Sequence, residues 1–277
     1  YHDDILIDWD YGASNHFINC FETRALSDMD LPPYLFFIHG STSEFRDDEH
    51  GMGLYVDYSK TLRERAIKED TMLGTQFILV DSDAADYLQF NKKALEFSKK
   101  KREIIGERLF GSGYEIICNQ THQFLSDYNH MYLGCNCTSV DKELVETNIF
   151  PIALRADISA YLFEGKKNLS ETTLKNINLL KKAKKLNVLS ELETANILPH
   201  GGGYAFPDIK RVKKVLEYKD QRYFVCELKT DKERMKIVRD VRDLEFDYRG
   251  RNVVLKTLQL DLGNMVARLN PIFSLKL

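Results

Sequence analysis

The sequence lacks several features that would decide its class at once. It has one Trp and six Pro in 277 residues, and nowhere do Pro, Gly or Ser gather into a linker or a low-complexity tract. No internal repeat is visible, which excludes solenoid and propeller architectures. No apolar run approaches the roughly 20 residues that a membrane-spanning helix needs, so no membrane role is expected. A surplus of positive charge is also missing: 39 Lys and Arg stand against 42 Asp and Glu, for a net charge of -3. Any surface for nucleic-acid phosphates must therefore be a local patch. Five cysteines, an odd number without paired metal spacing, suit a reducing compartment better than a disulfide framework and predict free thiols in a cytoplasmic setting.

What is present suffices for a sizeable core, since 43% of residues are hydrophobic and 29% charged, a balance found in folded rather than disordered chains. Short β-rich runs at Tyr34 to Ile38, Gln76 to Val80 and Tyr223 to Leu228 alternate with helical patterns. That alternation predicts a mixed, layered α+β domain, taken as one domain over residues 1–277. Asp81-Ser82-Asp83 opens a periodic stretch that reaches Lys99 to Arg102, acid first and base last as the helix dipole favours, so a long helix is expected. A second helix is expected from about Ser170 through Leu179-Leu180 to Leu192. Ile5-Leu6-Ile7 reads as a strand beside a cut edge, and Tyr114 to Cys118 as another.

Four of the seven histidines follow a turn or a strand, where a side chain is presented rather than packed. His16 follows the small-residue turn Gly12-Ala13-Ser14-Asn15, and His39 closes Tyr34-Leu35-Phe36-Phe37-Ile38. His122 stands in the polar cluster Asn119-Gln120-Thr121-His122-Gln123, and His200 opens His200-Gly201-Gly202-Gly203-Tyr204. Neutral imidazoles suit Mn, Zn or Fe, and a glycine run leaves backbone N–H groups able to face a phosphate. The same residues equally fit independent structural roles: scattered histidines are commonly unrelated, and glycines serve tight turns. His2, His50 and His130 are read as terminal, solvated and surface residues, and Cys20 as a buried thiol.

Taken in order, these contexts resemble the motifs of the RtcB family of RNA ligases. Gly12-Ala13-Ser14-Asn15-His16-Phe17 is similar to the family's Gly-Ser-Gly-Asn-His-Phe. His39-Gly40-Ser41-Thr42-Ser43, then Gly51-Met52-Gly53-Leu54, resembles its His-Ser-Gly-Ser-Arg and Gly-Leu-Gly, with the acidic insertion Glu44 to His50 between. Thr121-His122-Gln123 resembles Ala-His-Asn, and Ala160-Tyr161-Leu162-Phe163-Glu164-Gly165 resembles Ser-Tyr-Ile-Val-x-Gly. His200-Gly201-Gly202-Gly203-Tyr204 resembles the nucleophile motif His-Gly-Ala-Gly-Arg. The C-terminal Val266-Ala267-Arg268-Leu269 with penultimate Lys276 is similar to the family's ending.

The resemblance implies an RtcB-like fold lacking its N-terminal part, and a GTP- and Mn-dependent enzyme. Such an enzyme joins an RNA 3'-phosphate or 2',3'-cyclic phosphate to a 5'-hydroxyl, as in tRNA splicing or RNA repair. It implies His200 as the guanylylated nucleophile and His16, His39 and His122 as metal ligands. Asn15, Gly201, Gly203, Tyr248 and Lys276 would bind the nucleotide. Partners would be RNA ends, tRNA halves or broken RNA, with an accessory activator protein. The sequence departs from the pattern at Asn19, where the family carries a guanine-reading Glu, and at Tyr204, where it carries Arg. Pro151 to Arg155 replaces a phosphate loop, for which Arg155 is a candidate substitute, and the family's Asp and Cys metal ligands have no counterpart. An impaired RNA-binding scaffold and a metal-dependent phosphatase or cyclase are therefore the competing readings.

Overall fold

The structure, a computed structural model, describes residues 7–11, 16–71, 74–138, 148–219, 221–229, 234–240 and 243–275. In chain order its elements begin with β1 (Phe17–Ala25), β2 (Tyr34–His39), α1 (Lys60–Arg65), β3 (Ile67–Thr71), β4 (Gly74–Ile78) and α2 (Asp81–Phe110). Then come β5 (Gln123–Leu125), β6 (Met131–Leu133), β7 (Cys135–Cys137), β8 (Ile149–Ile152) and β9 (Ala160–Gly165). Helices α3 (Glu171–Asn176), α4 (Leu180–Leu186) and α5 (Leu189–Glu193) precede β10 (Ile197–Pro199) and β11 (Tyr204–Ala205). The chain closes with β12 (Ile209–Tyr218), β13 (Gln221–Leu228), β14 (Met235–Val238), β15 (Asp247–Tyr248), α6 (Asn252–Gln259) and β16 (Gly263–Leu275). The class is mixed α+β, as the alternating patterns predict.

The chain divides into two compact units, the first comprising Tyr1–Glu44, Asn91–Gly202 and Gly250–Leu277, the second Phe45–Phe90 and Gly203–Arg249. The first unit is built on a five-stranded antiparallel sheet of order β2-β1-β16-β9-β8. Its central strands carry apolar residues on both faces: Phe21, Leu162, Ala267 and Leu269 form one cluster, and Ile18 packs with Tyr11 and Ile105 of α2. A strand covered on both faces reads as a near-continuous apolar run, which explains Phe17-Ile18-Asn19-Cys20-Phe21. Phe150, Ile152, Phe163, Leu174 and Leu198 make the largest cluster, with Ile152, Leu174 and Leu198 fully buried. The second unit holds the sheet β12-β13-β14, the hairpin β3-β4 and the two-residue ladder β11-β15.

The long helix forms as expected and continues to Phe110, eight residues beyond Arg102. Gly111 stops it with φ 62°, its N–H donating to Glu107 O at 2.8 Å, because the left-handed turn closing a helix carries little penalty without a Cβ. The helix expected over 170–192 is three short ones. Asn178 and Asn187, with φ 61° and 55°, break it, since Asn adopts the left-handed conformation more readily than other side chains. Residues Tyr114 to Cys118 form no strand: the segment is irregular and returns to α2, where Tyr114 Oη donates to Glu103 O at 3.1 Å. Ile5 and Leu6 lie outside the described residues, and Ile7 is not in a strand. Among the described residues no helix is long and apolar enough to cross a membrane.

Candidate active site

The first unit brings His16, His39, His122 and His200 together from four chain segments. His16 immediately precedes β1 and His39 ends β2, where the antiparallel register pairs His39 with Phe17. The two imidazole centroids lie 6.1 Å apart, and the Phe17 ring stacks on His39 at 5.1 Å. His122 immediately precedes β5, 5.4 Å from His39. His200 follows β10 and stacks on His122 at 3.8 Å with an interplanar angle of 18°.

Gly134, at the turn between β6 and β7, serves both of the last two residues. Its N–H donates to His122 O at 2.7 Å, and its carbonyl accepts from His200 N at 3.2 Å and from His200 Nδ1 at 2.8 Å. A carbonyl only accepts, so Nδ1 carries the proton and Nε2 keeps the lone pair. That leaves Nε2 as the His200 ring nitrogen with a lone pair to offer a proton, a metal ion or an electrophile. His16 is oriented in the same sense, with Nδ1 2.9 Å from Asp10 Oδ2 and 3.2 Å from Asp10 O, which turns its Nε2 away from Asp10.

Electrostatics divides the four. Burial, then the neighbouring His200 and His16, pushes His39 down to about 4. Burial, then His200 and His39, pushes His122 down to about 3. Burial also lowers His200, opposed by its bond to Gly134. These three imidazoles are neutral near pH 7. His16 is raised by its hydrogen bond to Asp10, against the effect of burial. Burial disfavours the charged form of Asp10, yet hydrogen bonds from His16 and Ser41 and the charge of Lys101 hold it well below the usual carboxylate range.

A cavity of about 960 Å³ opens beside the cluster. His39, His122, His200 and Arg102 line one end, and Phe37, Phe110, Ile116 and Ile117 contribute to its apolar wall. Imidazole lone pairs with a carboxylate behind one of them suit a borderline divalent ion in donor chemistry. Among the described residues, however, no three His, Cys, Asp or Glu groups are already arranged as a metal shell, and His39, His122 and His200 meet as stacked rings.

The remaining predicted residues are placed differently. Asn15 and Lys276 lie outside the described residues. Gly201 bridges Ala153 in parallel pairing, and a Cβ there would come 2.3 Å from Ala153 O, so close backbone approach requires glycine. Gly202 N–H, expected to face an anion, donates to Ala153 O at 2.9 Å. Gly203 and Tyr248 belong to the second unit, where Tyr248 pairs with Tyr204 at a ring distance of 5.3 Å and Phe246 packs edge-on to both. Arg155 directs its guanidinium to Asp157 rather than standing open to a phosphate.

Sequence reasoning missed Asp10, Lys101 and Arg102. Asp10 precedes His16 by six residues with no motif to single it out. Lys101 left a signal, because it completes the buried helical stripe Ala94, Phe97, Lys101, Ile105. No protein family, curated protein or solved structure matches the chain.

Proposed function

We propose that this chain is an RtcB-type RNA ligase, with His200 as the residue that carries the nucleotide. The observation that carries the reading is the convergence of His16, His39, His122 and His200, four histidines from distant parts of the sequence, within ring distances of 3.8 to 6.2 Å along the cluster. In this reading His200 Nε2 attacks the α-phosphorus of GTP. The P–N bond forms as the bond to the β-phosphate oxygen breaks, and pyrophosphate leaves. GMP then passes to an RNA 3'-phosphate, freeing His200, and the 5'-hydroxyl of the second RNA attacks the activated phosphate to release GMP.

The chain's own residues prepare this step. The Gly134 carbonyl holds His200 in the tautomer with a free Nε2, and burial keeps the ring neutral at pH 7. His16, His39 and His122 would hold a divalent ion such as Mn, whose chemistry is to polarise phosphoryl oxygens and offset developing charge. Asn19 is buried and its Oδ1 has no hydrogen-bond partner. A carboxamide there offers fewer acceptors to guanine than a carboxylate, which leaves the choice of GTP over ATP open to test and favours, as a second reading, an impaired relative that binds RNA ends.

Incubation with α-labelled GTP or ATP and Mn, followed by a denaturing gel, tests the proposal. A label present in the parent and lost in His200→Ala supports the ligase and identifies the nucleotide. A metal-loaded parent that takes no label from either nucleotide removes it.

A further inference from the structure

We propose that Lys101 and Arg102, neighbours on α2, are positioning residues for the histidine cluster: Lys101 sets His16 through Asp10, and Arg102 sets His122 through the segment before it. Both stand in the stretch of α2 where basic residues suit the helix dipole, and such residues are commonly solvated. Neither is solvated in that way. The Lys101 side chain is 2% exposed, with Nζ 2.9 Å from Glu44 Oε1, 3.6 Å from Asp10 Oδ1 and 3.4 Å from Ser41 O. A lysine is almost never buried to this degree without partners that balance it.

The balance runs both ways. Asp10 Oδ1 and Glu44 Oε2 are buried with no hydrogen-bond partner among the described residues, so the ammonium contributes to compensating the two carboxylates between which it lies. Asp10 Oδ2 in turn accepts from Ser41 Oγ at 2.7 Å and stands 2.9 Å from His16 Nδ1. The chain of contacts from Glu44 through Lys101 and Asp10 therefore ends on one imidazole nitrogen.

Arg102 departs from the helix in another direction, since consecutive helical residues diverge by about 100°. Its Nη1 donates to Ser98 Oγ at 2.7 Å, Nε to Asn119 Oδ1 at 2.7 Å and Nη2 to Thr121 Oγ1 at 3.3 Å. Asn119 Nδ2 donates back to Lys99 O at 3.2 Å and to Glu103 Oε1 at 3.3 Å. Asn119 and Thr121, which lead into His122, are thereby fastened to α2. One helix turn thus reaches toward two histidines that are far apart in the sequence.

The inference rests on the ligase reading only for what the imidazoles then do. Its test needs no nucleotide, so the two fail separately. Imidazole nitrogen resonances of histidine-labelled protein, recorded at pH 7, report tautomer and environment ring by ring. Lys101→Met should shift the ring-nitrogen resonances of His16 and leave His122 at its parent position, and Arg102→Gln should do the reverse. Glu44→Gln and Asn119→Ala, which keep the two cations, should give the same split in smaller degree and serve where the first pair does not fold. Unmoved resonances in folded variants, or all four histidines shifting together in every variant, would overturn the proposal. Movement in one arm alone overturns the assignment of the other cation.

Discussion

The two units handle charge in opposite ways. In the first, Lys101 and Glu44 are buried side by side, and Asp10 is half-buried next to them; each charge is committed to a named partner and a fixed direction. In the second, β12–β14 carry Lys210, Arg211, Lys213, Lys214, Arg222 and Lys236 against only Glu217 and Glu227. Most of these side chains stand in solvent, and Lys210 and Arg211, more than half exposed, share Glu227. Buried charges can hold geometry, because the low dielectric makes an unpaired one costly. Exposed charges hold little geometry but attract diffusing anions. Under the proposed function, that difference would put the chemistry in the first unit and, at most, capture of phosphate in the second.

The sharpest way to break that division is substitution of the proposed nucleophile. His200→Ala should lower nucleotide labelling by on the order of a thousand-fold or more, since no other group replaces a covalent nucleophile. Tyr218→Ala, at an exposed position of the second unit, should leave labelling within about two-fold of the parent. Equal losses in both variants on the gel would erase the contrast.

Stability should divide in the same way. Leu198 is fully buried in the largest cluster of the first unit, so Leu198→Ala should cost about 2–5 kcal/mol in denaturant unfolding. Ile237 of β14 is 63% exposed, and Ile237→Ala should fall within about 0.5 kcal/mol. A large loss at Ile237 would mean that something covers that face.

Acidification should act on the first unit by way of its depressed histidines. In the metal-free protein His39 and His122 titrate near 4 and 3 when folded, against about 6.5 when unfolded. Between those values the unfolded chain binds more protons, so stability is retained above pH 6.5 and lost as pH falls toward 4. By pH 4 the loss should be on the order of 3 kcal/mol for each of the two. His16 acts with the opposite sign: its raised value adds stability below pH 6.5 that disappears as pH rises through its folded value. Melting temperatures at pH 7.5 and pH 5 should therefore lie closer together in His39→Gln than in the parent, and an unchanged difference would count against a neutral buried His39.

Much of this arrangement was legible before any coordinates. Strands with strong β-rich runs and the helix opened by Asp81-Ser82-Asp83 could be read because local pattern and tertiary role agree there. The four histidines could be selected because each follows a turn or strand end. What could not be read depends on contacts between distant segments. Gly201 and Gly202 look like phosphate ligands until Ala153 is seen beside them. Lys101 reads only as part of the basic end of a helix until Asp10 and Glu44, both far earlier in the sequence, are found around it. The break of the helix at Asn178 and Asn187 was visible in residue type but outweighed by the apolar and lysine periodicity around it.

The smallest effect is expected at the basic strands, and it tests the weaker half of the comparison. Lys214 pairs with Val225 across β12 and β13, is exposed, and lies in a stretch where cations outnumber acids. If single-stranded RNA meets this sheet, Lys214→Ala should reduce the slope of log affinity against log salt by about 1 while shifting the unfolding free energy by less than about 0.5 kcal/mol. Fluorescence anisotropy of a labelled RNA over a salt series measures the first quantity, and urea unfolding the second. A reduced slope with unchanged stability is what a charge that attracts but does not organise produces. An unchanged slope would place RNA elsewhere, and the charge imbalance of β12–β14 would then be a solvated surface without that role.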